Sequence, residues 1–100
     1  MTDYCVNLFA PLAAEERVLD TLLTIGEAGI FSSTAAHAHG FAHGKLSTRE
    51  QVSGRSSAVL VQVLVAADGL TALIDQLQEE LARSRVRYWV TPVIRQGEFR

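Results

Sequence analysis

The feature that most constrains the fold of this chain is an apolar run from Ser57 to Ala67 in which valine recurs at every second position. Alternation along a strand places these valines on one face and Leu60 and Leu64 on the other; the valines are Val59, Val61, Val63 and Val65. A strand that is apolar on both sides needs cover on both sides. We therefore expect this strand at the centre of a sheet.

The elements before this strand follow from periodicity and from turn residues. Tyr4 to Phe9 is β-prone and stops before Pro11, which predicts a first strand. A helix should follow, because two glutamates fall in its first turn, where the helix dipole favours negative charge. The two glutamates are Glu15 and Glu16. The apolar stripe is Val18, Leu19, Leu22 and Leu23, and it ends before Gly26 and Gly29. Ile30 to Ala42 is a second strand that weakens toward its end.

The elements after the central strand repeat the same order. Asp68 is the expected N-cap of a second helix, whose apolar residues recur at helical spacing; they are Leu70, Leu73, Ile74, Leu77 and Leu81. Arg87 to Ile94 is the last strand, and Pro92 within it predicts an edge position because proline cannot donate a ladder hydrogen bond. Between the halves, Gly40 to Gly54 is polar and aperiodic, which indicates a long, exposed and flexible loop.

This order predicts one α+β domain over residues 1–100, a ferredoxin-like βαββαβ sandwich with a long loop at about 40–55. Right-handed crossovers put both helices on one face of a four-stranded antiparallel sheet. The other face then lacks cover, although the central strand is apolar on that side too. We expect self-association to supply the missing cover.

Composition excludes several classes of partner. Nine Lys and Arg against eleven Asp and Glu give a net charge of −2, which offers no basic surface for nucleic acid. No apolar run is long enough to insert into a membrane, and the first residues lack the basic and apolar pattern of a secretory signal. A single cysteine, Cys5, allows no internal disulfide. We expect a cytoplasmic protein in which Cys5 is a buried thiol.

All three histidines lie within the stretch HAHGFAH, from His37 to His43. On an extended segment His37 and His39 point to the same side, close enough to bind one Zn, Cu or Ni ion. His43 could complete the site after the Gly40 turn, with Glu50 as an additional carboxylate ligand. The alternative is a set of solvent-exposed loop histidines without a metal.

Catalysis finds no support in the sequence. The histidines have no serine or cysteine nucleophile placed beside them, and no carboxylate pair stands out. Trp89 and Phe99 could suggest a ligand platform, but aromatics on a terminal strand are more often core or interface residues. We therefore expect a protein that is not an enzyme.

Four segments together resemble the short PII-like proteins, a branch of the PII signal-transduction superfamily. They are LFAPLAAEERVLDTLL from Leu8, STREQVSGR from Ser47, VLVQVLV from Val59 and RYWVTPV from Arg87. The resemblance implies a homotrimer with ligand clefts between subunits and a long T-loop that reaches a partner. It also implies an association with RND-type heavy-metal efflux transporters in the membrane. The ligand or loop residues that it suggests are Lys45, Arg49, Glu50, Gly54, Arg55 and Arg87, although a salt-bridged loop base is the alternative for Arg49, Glu50 and Arg55.

Two departures from the PII pattern bear on nucleotide binding. PII proteins carry a glycine-rich basic turn before the last strand, whereas residues 82–87 here contain three arginines and no glycine. The modified tyrosine of the PII loop is also missing, because Tyr4 and Tyr88 both fall on predicted strands. These departures argue against binding of ATP or ADP in the PII manner, but Arg83, Arg85 and Arg87 could face an anion.

Two functions remain open. The first is a trimeric regulatory protein that senses a small ligand or a metal and acts on a partner through the flexible loop. The alternative is a heavy-metal-binding protein that buffers or delivers ions through His37, His39 and His43.

Overall fold

The computed structural model describes residues 3–26, 28–40 and 56–100. Six main elements follow one another in the predicted order: β1 (Asp3–Pro11), α1 (Glu15–Thr24), β2 (Phe31–Ala38), β3 (Ser56–Val65), α2 (Leu70–Glu80) and β4 (Arg87–Val93). Short 3-10 helical turns, Leu12–Ala14 and Ala67–Gly69, lead into the two helices. The predicted α+β fold is confirmed.

The four strands form one antiparallel sheet in the order β2-β3-β1-β4. The apolar strand β3 lies inside the sheet, as its two-sided pattern predicts, and β4 with Pro92 lies at an edge. An edge strand has a partner on one side only, which is where a proline disturbs a ladder least. The order also separates β1 from β2 by β3, so the two N-terminal strands are not neighbours.

One face of the sheet and both helices share a single core. Val6 lies opposite Val63 and Leu8 opposite Val61 in the β1–β3 ladder, and all four side chains are buried. The helices add their own apolar stripes to this layer; the fully buried or nearly buried helix residues are Val18, Leu22, Leu73 and Leu77. The two helices therefore cover the same face, and the valine row of β3 points toward them.

Two details of the helices differ from the sequence prediction. Leu23 continues the apolar pattern of α1 but is 73% exposed, because it lies about 140° around the helix from Val18 at 100° per residue. Asp68 is not the N-cap of α2: it lies in the 3-10 turn, and Gly69 takes the cap position without a side-chain hydrogen bond. The chain thus enters α2 through a turn that delays the helix start.

β2 is shorter than predicted. It begins at Phe31 and ends at Ala38, and a bend at His39 and Gly40 follows, with Gly40 in the left-handed region at φ 95°. The last pair of the β2–β3 ladder is Ala38 with Ser56. The two ends of the intervening segment are therefore adjacent, whereas residues 41–55 of the predicted loop lie outside the described part of the chain.

A close backbone approach joins the entry of β2 to β3. The Gly29 amide donates to the Leu64 carbonyl at 3.1 Å, and the Leu64 amide donates to the Ile30 carbonyl at 3.0 Å. A Cβ on Gly29 would lie only 2.7 Å from the Leu64 carbonyl oxygen. The absence of a side chain at position 29 is what permits this approach.

Candidate functional site

Strand β2 presents two of the three histidines at its far end. His37 lies opposite Ser57, His39 follows the last strand residue, and both are exposed. Strand alternation sets the side of His37 only, because His39 lies in the bend after β2. Among the described residues, no group of three or more His, Cys, Asp and Glu side chains could hold a metal ion. Because His43 and Glu50 lie outside those residues, the three-histidine site stays a prediction.

The predicted ligand and loop residues are only partly described. Arg87 is the first residue of β4 and is exposed, opposite Phe9 of β1. Three strand spacings, about 14 Å, separate β4 from β2, so Arg87 and His37 are not brought together within one copy. The remaining predicted residues lie in the segment that the structure leaves undescribed; they are Lys45, Arg49, Glu50, Gly54 and Arg55.

The face of the sheet turned away from the two helices carries a mixed apolar and polar surface, which we call the open face. It is formed by alternate residues of the strands, including Cys5, Asn7, Phe9, Ala58, Leu60, Gln62, Leu64 and Trp89. Phe9 and Trp89 form a tilted pair with ring centroids 6.4 Å apart, and Trp89 is 47% exposed. The open face therefore presents an aromatic surface beside the β4 edge.

A hydrogen-bonded side chain occupies the middle of the open face. Asn7 is buried, and its Oδ1 accepts a hydrogen bond from Gln62 Nε2 at 3.0 Å. Its Nδ2 donates to the backbone carbonyls of Cys5 at 3.3 Å and Trp89 at 3.4 Å. These bonds tie the three strands β3, β1 and β4 together. They also fix the amide so that its polar groups are satisfied at the centre of an apolar sheet.

Cys5 differs from its predicted environment. The thiol is only partly buried, because it lies on the open face and not under the helices. Its Sγ is 3.7 Å from Asn7 Oδ1, to which it donates a weak hydrogen bond. Two strand spacings separate β1 from β2, so Cys5 does not join the histidines within one copy.

A second concave surface lies on the helix side, between α2 and the start of β4. This α2–β4 groove is lined by Leu8, Ile74, Leu77, Gln78, Leu81, Val86 and Tyr88, with an empty volume of about 450 Å³ that includes its open mouth. Tyr88 is 56% exposed there. Six of the seven lining side chains are aliphatic or aromatic, so the groove suits an apolar group.

The turn at the end of this groove has an unusual backbone. Arg83 and Arg85 adopt φ values of 64° and 66°, a left-handed conformation that non-glycine residues adopt at a cost of about 1–2 kcal/mol each. Ser84 stabilises the turn: its Oγ donates to the Leu81 carbonyl and accepts from the Val86 amide at 3.2 Å. The turn has no glycine, yet Arg83 and Arg85 adopt the left-handed backbone conformation that glycine favours.

Sequence reasoning missed two features of these surfaces. The Asn7–Gln62 pair is one, and its signal is the presence of one polar residue at the middle of each of two otherwise apolar strands. The other is the α2–β4 groove, whose lining comes from separate parts of the chain. No local pattern links Leu8 to Leu81, because their proximity depends on how α2 packs on the sheet.

The α+β fold of this chain is the fold of PII-like and CutA structures. The structure of a PII-like protein from Thiomonas intermedia K12, bound to ADP, AMP and bicarbonate, matches with a TM-score of 0.69 and 13% identity, over 98% of this chain and 98% of that chain. The periplasmic divalent cation tolerance protein CutA from Archaeoglobus fulgidus matches with a TM-score of 0.69 and 14% identity, over 96% and 88%. At these identities the likeness concerns the fold alone.

The chain belongs to the family described as protein of unknown function DUF3240, whose profile matches residues 1–100. A crystal structure of a member from Shewanella baltica OS155 superposes with a TM-score of 0.80 and 18% identity, covering 100% of this chain and 99% of that chain. No curated protein matches the sequence at a significant level. Among the described residues, no helix is long and apolar enough to cross a membrane.

Proposed function

We propose that this chain is a PII-like regulatory protein: a homotrimer that responds to a small ligand or a metal ion and acts on a partner through residues 40–55. Its role is regulatory and not catalytic. The observation that carries the proposal is the open face, an apolar and aromatic sheet surface with the hydrogen-bonded Asn7–Gln62 pair at its centre. The similarity of the fold to PII-like structures supports the same function.

The open face supports self-association for an energetic reason. Leu60 and Leu64 are only partly buried and Trp89 is 47% exposed, although all three lie on strands of one sheet. Contiguous apolar surface of this kind is typical of interfaces. Packing three copies around a threefold axis would remove it from water and would enclose the Asn7–Gln62 hydrogen bond.

The 40–55 segment supports the regulatory part of the proposal through its placement. It connects two adjacent strands, and its ends are held together at the Ala38–Ser56 pair. Its residues Lys45, Arg49, Glu50, Gly54 and Arg55 would contact ligand or partner. Arg87, on the open face at the far edge, would contribute from a neighbouring copy. An RND-type metal efflux transporter is the partner that the PII-like resemblance implies.

Light scattering combined with ligand titration tests this proposal. We expect the mass of a trimer, and we expect Leu64→Arg on the open face to dissociate it. Leu23→Arg, a matched change at an exposed position on α1, should leave the trimer intact. A wild-type monomer at micromolar concentration would refute the assembly.

The ligand response needs a separate measurement. Limited proteolysis at Lys45, Arg49 and Arg55 should slow when the relevant nucleotide, anion or metal is bound. If neither nucleotides nor Zn, Cu and Ni change the cleavage pattern, the sensing role fails while the trimer stands.

A second candidate function is the binding and delivery of heavy-metal ions through His37, His39 and His43. The exposed His37 and His39 at the end of β2 favour it, and so does the fold similarity to a divalent cation tolerance protein. Calorimetry with Zn, Cu and Ni should then detect binding that the double variant His37→Ala with His39→Ala loses. Affinity should fall with decreasing pH, because protons compete for the imidazole nitrogens. Equal binding by the double variant would exclude these histidines as ligands.

A further inference from the structure

We infer that strand β2 of one copy pairs edge to edge with strand β4 of the next copy, and that this contact brings Arg87 of the neighbouring copy to the His37 end of β2. The inference rests on the proposed homotrimer and specifies how its copies meet. It gives both edges of the sheet a partner. It also unites two predicted site residues that lie on opposite edges of the sheet within one copy.

The backbone groups at the free edge of β2 follow from its ladder with β3. The Leu64 amide donates to the Ile30 carbonyl at 3.0 Å, and the Leu64 carbonyl accepts from the Gly29 amide at 3.1 Å. Both polar groups of Leu64 therefore face β2. Because hydrogen-bonded pairs alternate along an antiparallel ladder, the backbone groups of residues 32, 34, 36 and 38 face β3. Those of residues 31, 33, 35 and 37 point to the free edge.

The same alternation places the missing amide of Pro92 at the free edge of β4. Counted across the registers from Leu64, the backbone of Tyr4 faces β3, and its β4 partner Pro92 therefore turns away from β1. The β1–β4 ladder thus loses no hydrogen bond to the proline. The free edge of β4 keeps the amides of Tyr88 and Val90.

The free edge of β2 lacks the features that keep an exposed edge from pairing. Natural proteins protect such edges with charged side chains, proline or bulges. Phe31–Ala38 contains no proline and no Lys, Arg, Asp or Glu, and five of its eight side chains are exposed. An unprotected strand of this length is suited to pair with another extended strand.

Side-chain size favours β4 as that partner. β4 carries two large exposed aromatic side chains on opposite faces of the sheet, Tyr88 at 56% and Trp89 at 47%. β2 carries mainly Ser, Thr and Ala on both of its faces. Placing β4 beside β2 covers each aromatic side chain with small cross-strand neighbours. Pairing β2 with a second β2 would leave both aromatic side chains in water.

Threefold symmetry sets the direction of the pair. Each contact in a closed ring joins two different surfaces, and β2 and β4 are the two edges of the described sheet. β4 runs opposite to β2 within one copy, and rotation about an axis along the strands preserves these directions. β4 is therefore antiparallel to β2 of the next copy. Aligning the middles of the two strands sets Ala35 opposite Val90 and His37 opposite Tyr88.

This pairing completes a site at the end of β2. In the same register Arg87 of the neighbouring copy lies opposite Ala38, where the segment that joins β2 to β3 begins. A guanidinium group from one copy is thereby added beside His37 of another. The small ligand proposed above would then contact two copies, so ligand binding and assembly are coupled.

Amide hydrogen exchange, measured residue by residue in the assembled protein, tests the pairing. The Ala35 and Val90 amides point to free edges within one copy, so only a strand from another copy can protect them. We expect both to exchange at least about 100-fold more slowly than an unprotected amide. Fast exchange at both positions would overturn the inference. Slow exchange at only one of them would also overturn it, because that edge would then have a different partner.

Mixed-copy disulfide trapping tests the register in the full chain. A Thr34→Cys protein and a Thr91→Cys protein, both with Cys5→Ser, are mixed, allowed to exchange subunits and oxidised. Residues 34 and 91 form a non-hydrogen-bonded pair in the inferred contact, with Cα atoms about 4.5 Å apart, which a disulfide can span. We expect a linked pair that contains one copy of each. Leu23→Cys in place of Thr34→Cys is the matched control, since residue 23 is exposed on α1.

Two results of the trapping would contradict the pairing. Cross-linking no greater than in the control would show that β2 and β4 do not meet in this register. A disulfide in the Thr34→Cys protein alone would show that β2 pairs with β2.

Association measurements separate this inference from the proposed trimer. Ala35→Pro removes an amide that faces away from the β2–β3 ladder, so it should weaken assembly by about 10-fold, the effect of one lost hydrogen bond. Ala35→Ser keeps the amide and should assemble as the wild type does. A wild-type monomer would refute the trimer itself. A trimer that forms equally well with Ala35→Pro and Ala35→Ser would refute only the strand pairing.

Discussion

Replacement of Gly29 by alanine should destabilise the protein by about 1–3.6 kcal/mol. The new Cβ would lie 2.7 Å from the Leu64 carbonyl oxygen and would have to move by about 0.7 Å to reach the ordinary contact distance of 3.4 Å. That movement breaks the 3.1 Å hydrogen bond from the residue 29 amide to the same oxygen. The lost bond costs about 1 kcal/mol and the crowding about 1–3 kcal/mol. Reduced freedom of the unfolded chain offsets about 0.4–1 kcal/mol.

Gly26→Ala is the matched control for this change. No atom lies within 4 Å of a Cβ built at position 26, so we expect its stability to be unchanged or to rise by up to about 1 kcal/mol. Urea unfolding of both variants and the wild type, at one fixed protein concentration, gives the comparison. Equal midpoints for Gly29→Ala and Gly26→Ala would refute the reasoning, because both changes affect the unfolded chain alike.

Three further changes have expected outcomes. Leu73→Ala should lower the free energy of unfolding in urea by about 2–5 kcal/mol, because Leu73 is fully buried. Leu23→Ala should change it by less than about 0.5 kcal/mol, because Leu23 is 73% exposed. Similar losses for the two variants would contradict this packing. Asn7→Ala should cost about 1–3 kcal/mol and increase hydrogen exchange at the β1–β4 ladder, since its amide bonds to the backbone of both strands. Arg17→Ala should cost about 0.5–1 kcal/mol in thermal unfolding, because its Nη2 donates to the Glu80 carbonyl at 2.6 Å from an exposed position; Arg17→Lys should recover part of the loss.

The core elements could be predicted from the sequence because their signals are local. Valine at every second position indicates that β3 is a strand, and apolar residues three and four positions apart indicate that α2 is a helix. Both patterns can be read without knowing what the element packs against. Apolar character alone does not predict burial at the margin of a stripe: Leu23 adjoins the stripe in sequence, but it lies about 140° around α1 from Val18 and is exposed. Asp68 is a good capping residue in general, yet the 3-10 turn that precedes α2 moves the cap to Gly69.

The candidate sites were harder to predict, because they depend on strand order and packing. His37 could be placed on β2 from the sequence, but His39 lies just beyond the end of the strand at Ala38, in a bend with the left-handed Gly40. Asn7 and Gln62 each stand out as a polar residue in an apolar run, but only the register of the β1–β3 ladder shows that they face each other. The metal site and most of the predicted ligand residues involve the undescribed segment, so those interpretations remain predictions.

The pairing of Ala38 with Ser56 has a consequence for how this protein could diversify. Because β2 and β3 are neighbours in the ladder, the sheet itself holds the two ends of the connecting segment side by side. Each doubling of the length of the connecting segment raises its loop-closure free energy by only about 0.6 kcal/mol. The connection can therefore be lengthened, shortened or exchanged while the scaffold folds as before. Partner choice and fold stability could then be altered independently, and a segment from another protein could be grafted between residues 38 and 56.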